Sequence, residues 1–216
     1  KHKIFNITFY VYNIVEMSTF KNVNFFGYVM IAFIIYIILK IYMESDYYNL
    51  ICVVSDVDGN KYCVRESNKI EMVVDLFAKV TGKLQKLVNY VYEKYENREN
   101  CKRLKENFNP DKIVEIMPTS KYTAYSENKG EKIAFCSTTE KGGDTLIDEN
   151  TLTFVAIHEL GHLMSKSIGH TEEFWNNFRF LLKNAVQINI YDPIDYSKNP
   201  VEYCSLDIND NPYYED

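Results

Sequence analysis

An α+β domain with a small sheet, preceded by a single membrane-crossing helix, is the fold class predicted by this 216-residue sequence. Three observations predict it. A long uncharged apolar run lies near the amino end. Short β-rich runs joined by polar turns then alternate with segments of helical spacing. Two capped helices follow one another toward the carboxyl end.

Residues 25–39 read FFGYVMIAFIIYIIL without a charge, and with Ile41, Tyr42 and Met43 the apolar stretch reaches about 19 residues, a bilayer-crossing length. The run is apolar on all faces, whereas a core helix keeps a polar stripe. Lys40 can snorkel, and Tyr28, Tyr36 and Tyr42 suit interfacial levels. KIYMESD follows instead of a small-residue cleavage site, so the segment reads as an uncleaved anchor. Met17 opens MSTFKNVNFFGY like a start, which leaves residues 1–16 as an upstream extension or the end of a truncated chain. The expected organisation is a leader over 1–24, an anchor over 25–43 and a domain over 46–216. Lys21 before the run and Glu44 and Asp46 after it favour an inside amino end, with the domain across the membrane.

Leu50 to Val54 and Lys61 to Val64 flank Asp58-Gly59, a hairpin signal. From about Lys69 to Tyr95, Ile70, Val73, Val74, Phe77, Val80, Leu84, Leu87, Val88 and Val91 recur at helical spacing. A short helix over Glu99 to Phe108 should stop before Pro110. Lys112 to Met117, Lys121 to Ser126 and Lys132 to Ser137 read as short strands.

A net charge of −6 argues against a chain that holds nucleic acid by its phosphates. The five cysteines contain no CxxC pair, which excludes a zinc ribbon; one or two bridges can form, with at least one thiol left over. Only four histidines are present, and three fall within thirteen residues.

That cluster carries the chemistry. Residues 150–169, NTLTFVAIHELGHLMSKSIG, predict a mostly buried helix that Asp148 or Asn150 can cap and Gly169 can end. Inside it His158-Glu159-Leu160-Gly161-His162 is the H-E-x-x-H pattern. Residues four apart share a helix face, so both imidazoles can grip one ion. Glu159 is offset by about 100°, close enough to hold a metal-bound water without ligating the metal. His170 follows Gly169, whose tolerance of positive φ can fold the chain back toward the helix. Thr171 can cap a second helix carrying Glu172 and Glu173 in its first turn. Three imidazoles and a water make up a catalytic zinc centre, with Glu172 or Glu173 as the fallback third ligand.

HELGHLMSKSIGHTEEFW resembles the small zinc metallopeptidases of the SprT and WLM type, over Asn150 to about Leu182. LIDENTLTFVAIHELGHLMSKSIGHTEEFWNNFRFLLKNAV, with the tail NPVEYCSLDINDNPYYED, resembles more closely still zinc metallopeptidases of large DNA viruses, some of them amino-terminally anchored. The departure from SprT and WLM proteins is a membrane segment in place of DNA- or ubiquitin-binding appendages, which argues against DNA-crosslink repair. The resemblance implies a minimal zincin-like domain in which His158, His162 and His170 bind Zn2+ and Glu159 is the general base. The activity it implies is hydrolysis of peptide bonds in a protein or peptide substrate by a zinc-activated water, at a membrane reached through residues 25–43. It also implies an edge strand for the substrate, a place suited to Lys132 to Ser137. Cys136 there reads as a buried apolar group. Tyr191, Tyr196 and Tyr203 are candidates for a second electrophile, against a packing role for each. The competing readings are a catalytically silent zincin-fold protein of a membrane or virion, and a metal hydrolase of non-peptide amides.

Overall fold

The computed structural model describes residues 24–44 and 50–215, with side chains of the first segment described as far as Ile41. The chain divides into two compact units, Lys1–Ser45 and Asp46–Asp216.

In the first unit, α1 (Phe25–Glu44) leaves the apolar side chains described, as far as Ile41, exposed on every face. The expected bilayer-crossing segment over 25–43 is not supported: among the described residues no helix is long and apolar enough to cross a membrane. The uncharged part ends at Leu39. At 1.5 Å per residue it rises only about 22 Å, against a hydrocarbon core of about 30 Å. The expected leader and start at Met17 lie outside the described residues.

The second unit is a mixed α+β fold, as its alternation of β-rich and helix-spaced segments predicts. β1 (Leu50–Val54) and β2 (Lys61–Arg65) form the antiparallel hairpin, with Cys52 bonded to Cys63 directly across it. α2 (Ile70–Lys94) buries the predicted stripe from Val73 to Val91. α3 (Glu99–Asn107) stops short of Pro110. β3 (Ile113–Glu115), β4 (Ala124–Glu127) and β5 (Lys132–Phe135) complete a five-stranded sheet in the order β1-β2-β3-β5-β4. β3 runs parallel to both β2 and β5, and β4 antiparallel to β5. The buried Glu115 carboxylate ties β3 to β2 and to the segment after β5: it accepts from the Arg65 amide (2.7 Å), the Arg65 guanidinium (2.9 Å) and the Ser137 hydroxyl.

α4 (Glu149–Met164) and α5 (Glu172–Gln187) follow, and β6 (Val201–Tyr203) and β7 (Leu206–Ile208) form a terminal hairpin. α4 is the centre of the core, packed on α2, α3, α5, β4 and β5. Asp148 caps it, its carboxylate accepting from the Thr151 amide at 2.9 Å. The helix ends at Met164 rather than at Gly169. Its last carbonyls leave the helical ladder for side-chain donors: Arg103 to Met164 (2.7 Å), Asn107 to Leu163 (3.0 Å) and Lys129 to His162 (3.1 Å).

Cys136 is buried as expected, but it is bonded to Cys204 in the β6–β7 turn. Cys101 is a buried free thiol. One chain therefore carries both bridges and the leftover thiol that its cysteine count allows.

Candidate metal centre

From Thr151 to Ser165 every residue is buried except His158 and His162. These two open onto a cleft of about 560 Å³ whose lining includes Tyr122, Ala124, Tyr125 and Ser126 of the β4 region, Lys129, Glu159 and His170. Beyond its first two residues, the helix thus shows solvent only the two histidines of the motif.

His170 arrives from the loop between α4 and α5. Gly169 takes the positive φ its position requires, +80°. Thr171 caps α5, its hydroxyl accepting from the Phe174 amide. The three imidazole centroids form a near-equilateral triangle: 5.0 Å for His158–His162, and 4.9 Å from each of these to His170. Phe174 lies against all three, stacked on His162 at 4.3 Å. Gly161 makes that possible. A Cβ there would come within 3.0 Å of the Phe174 ring, so the glycine lets α5 seat its aromatic face on α4.

One nitrogen from each ring lies within 4.8 Å of the others, and the Nε2 atoms of His170 and His158 are 3.0 Å apart. Tetrahedral zinc with bonds near 2.1 Å needs nitrogens about 3.4 Å apart, which this triangle meets with small adjustments. Burial is the main reason His158 titrates only at about 3, reinforced by His162 and His170. Burial likewise lowers His162 to about 4, with His170 and Lys129 adding to it. At neutral pH both rings are uncharged, the form that binds metal.

Glu159 is 4% exposed. Burial pushes its carboxyl up to about 7, opposed by a hydrogen bond from Ser126. Its Oε2 is buried without a hydrogen-bond partner. Such an atom is costly unless something polar meets it, and a water on a metal beside it is the natural partner. The residues present fit a zinc ion.

The other sequence-predicted residues fall elsewhere. Glu173 faces the loop backbone, and Glu172 borders a separate depression with Trp175 and Arg179; neither lines the cleft. Tyr191, Tyr196 and Tyr203 are all buried and outside the cleft lining. The Tyr203 hydroxyl accepts from the Cys136 amide at 2.9 Å and donates to the Thr123 carbonyl at 3.2 Å. Burial raises its pKa further. These tyrosines pack. The phenols lining the cleft are Tyr122 and Tyr125, within the stretch Lys121 to Ser126 that reads from sequence simply as a short strand. The substrate-edge expectation also moves. β5 is internal, between β3 and β4, and β4 is the edge that borders the cleft.

Fold and site together define a class: an α+β domain with a three-histidine metal-site geometry, built on one helix and the approach to the next. The chain belongs to the family of protein R325 of Acanthamoeba polyphaga mimivirus, to which it is 30% identical over 200 residues, 90% of this chain and 98% of that protein. It is also similar to protein 042R of Invertebrate iridescent virus 3 (39% over 100 residues, 46% of this chain and 57% of that protein). Protein 136R of Invertebrate iridescent virus 6 matches at 36% over 70 residues, 32% of this chain and 39% of that protein. No family model matches the chain. Among solved structures, Wss1 from Saccharomyces cerevisiae superposes with a TM-score of 0.44 at 18% identity, over 58% of this chain and 87% of that one.

Proposed function

We propose that this protein is a zinc-dependent endopeptidase acting on protein or peptide substrates. The observation that carries the reading is the pairing of the three-histidine triangle with the orphaned Oε2 of Glu159 beside it. His158, His162 and His170 would hold the ion. Bound there, zinc supplies Lewis-acid activation of a water and of the scissile carbonyl.

The remaining steps belong to side chains of this chain. Glu159 takes the proton of the attacking water at Oε2 and returns it to the leaving amine. A carboxylate held in that buried position can do both. β4 offers the exposed sheet edge along which an extended substrate can pair. Phe174 and the enclosure of α4 keep the rings in place between the steps.

Attachment to a membrane through residues 25–43 is part of the proposal. Its support is the sequence of that segment and the exposure of every apolar side chain described in α1. Flotation of the full chain with liposomes tests the attachment, and recovery of the chain only in the bottom fraction would contradict it.

Cleavage of a broad peptide library by the full chain and by Glu159→Gln tests the activity. The expected result is zinc retained in both and turnover lowered about 100-fold or more in the variant. Equal cleavage by the two, or none by zinc-loaded wild type, would overturn the enzyme reading.

A further inference from the structure

In the loop from Ser165 to Thr171 the His170 ring packs on Phe174 and Trp175, but the stretch from Lys166 to Gly169 that delivers it has almost nothing apolar to hold it. Lys166, Gly169 and His170 are exposed, and Ile168 is 89% exposed. Polar contacts hold it instead, from two sides. On the carbonyl side, the Lys129 ammonium donates to Ser165 (2.8 Å) and Ser167 (2.9 Å) as well as to the helix carbonyl of His162 (3.1 Å). On the amide side, the Glu173 carboxylate accepts from the Lys166 amide (2.9 Å), the Ser167 amide (2.9 Å) and the Ser167 hydroxyl (2.8 Å).

Lys129 reaches this position through an unusual backbone. Asn128 and Lys129 take φ of 45° and 58°, and Gly130 takes 115°. A Cβ on Gly130 would lie 2.0 Å from the Asn107 carbonyl oxygen, so only glycine fits. The turn between the cleft edge β4 and β5 is thus shaped to send one ammonium under the histidine loop. Three carbonyls at the end of a helix satisfy all three ammonium protons, and the helix dipole favours the charge there.

We propose that Lys129 and Glu173 are positioning residues for the third metal ligand: they brace the 165–171 loop from both sides so that His170 closes the triangle, and they thereby set metal affinity. This rests on the reading of His158, His162 and His170 as a zinc site. Outer contacts of this kind change metal affinity about 10- to 100-fold in other sites. The brace also links the cleft-edge strand to the ligand loop, since Lys129 lies two residues beyond the end of β4.

The test is zinc affinity of the full chain, measured by competition with a chelating indicator, together with the thermal transition of the metal-free chain. Lys129→Met should weaken zinc about tenfold, and Glu173→Ala comparably. Neither change should weaken it further in a His170→Ala background, where the ligand they position is gone. Lys129→Met binding zinc as wild type does, or costing as much with His170→Ala as without it, overturns the proposal. If Lys129→Met does not fold, Glu173→Ala decides. Collapse of both thermal transitions would assign the pair to the fold and equally overturn it. A wild type that binds no zinc overturns the metal-site reading itself, and His170→Ala binding as tightly as wild type removes His170 from it.

Discussion

The Nε2 atoms of His158 and His170 lie 3.0 Å apart although they are twelve positions apart in sequence and the end of α4 lies between them. In the metal-free chain one nitrogen must donate a proton to the other. Under the proposed reading, a zinc ion would take the place of that single proton, held by both rings and His162. Binding to the folded state alone stabilises it by about 4 kcal/mol at a thousandfold excess over the dissociation constant. In a domain of this size that corresponds to a rise of about 10 °C in melting temperature. Differential scanning calorimetry with and without zinc should show the rise in wild type and lose most of it in His158→Ala.

Gly161 is the contact point of α4 and α5, with its missing Cβ occupied by Phe174 and Phe178. Gly161→Ala should push Phe174 off the histidine rings. We expect about 1–3 kcal/mol of destabilisation, typical of an overfilled core, and weaker zinc binding. Denaturant unfolding and an indicator titration check the two effects separately.

Tyr203 has the burial and hydrogen bonds of a structural residue. Tyr203→Phe removes the hydroxyl that bridges the Cys136 amide and the Thr123 carbonyl, leaving them only their mutual bond at 3.2 Å, and should cost about 0.5–1.5 kcal/mol. The cleavage rate per folded, zinc-loaded chain should stay unchanged. A drop in kcat at constant fold would return Tyr203 to the reaction.

Backbone and hydroxyl donors from Lys166 and Ser167 lower the Glu173 carboxyl to about 2, below its ordinary 4.5. A carboxylate with a depressed folded-state pKa contributes stability that is fully present above about 4.5 and lost as pH falls toward about 2. The group is close to solvent, so the effect is modest. Glu173→Gln should be less stable than wild type at pH 6 and should converge with it at the acid end of that window, as read by thermal unfolding across pH.

Much of this was legible in the sequence, and what was not has physical causes. The stripe from Val73 to Val91 and the H-E-x-x-H spacing are local periodicities, and α2 and the His158–His162 pair sit where those periods place them. His170 came within reach because glycine precedes it. The edge strand did not, because β5 enters the sheet between β3 and β4, and strand order is a non-local property. Cysteine spacing leaves connectivity open, which hid Cys136–Cys204. Lys129 was invisible for a similar reason: Asn-Lys-Gly reads as any polar turn until its carbonyl partners, more than thirty residues away, are in place. The apolar run at 25–39 was legible as a helix, and α1 forms there, but its uncharged part is short for a bilayer.

The most direct test of the central claim is the metal content of the full chain, purified without chelators and measured by mass spectrometry of the elements. The account predicts about one zinc per chain in wild type and in Glu159→Gln, and much less in His170→Ala, because three imidazoles hold the ion and the carboxylate does not. A folded wild-type chain that takes up no zinc even when it is supplied would contradict the account.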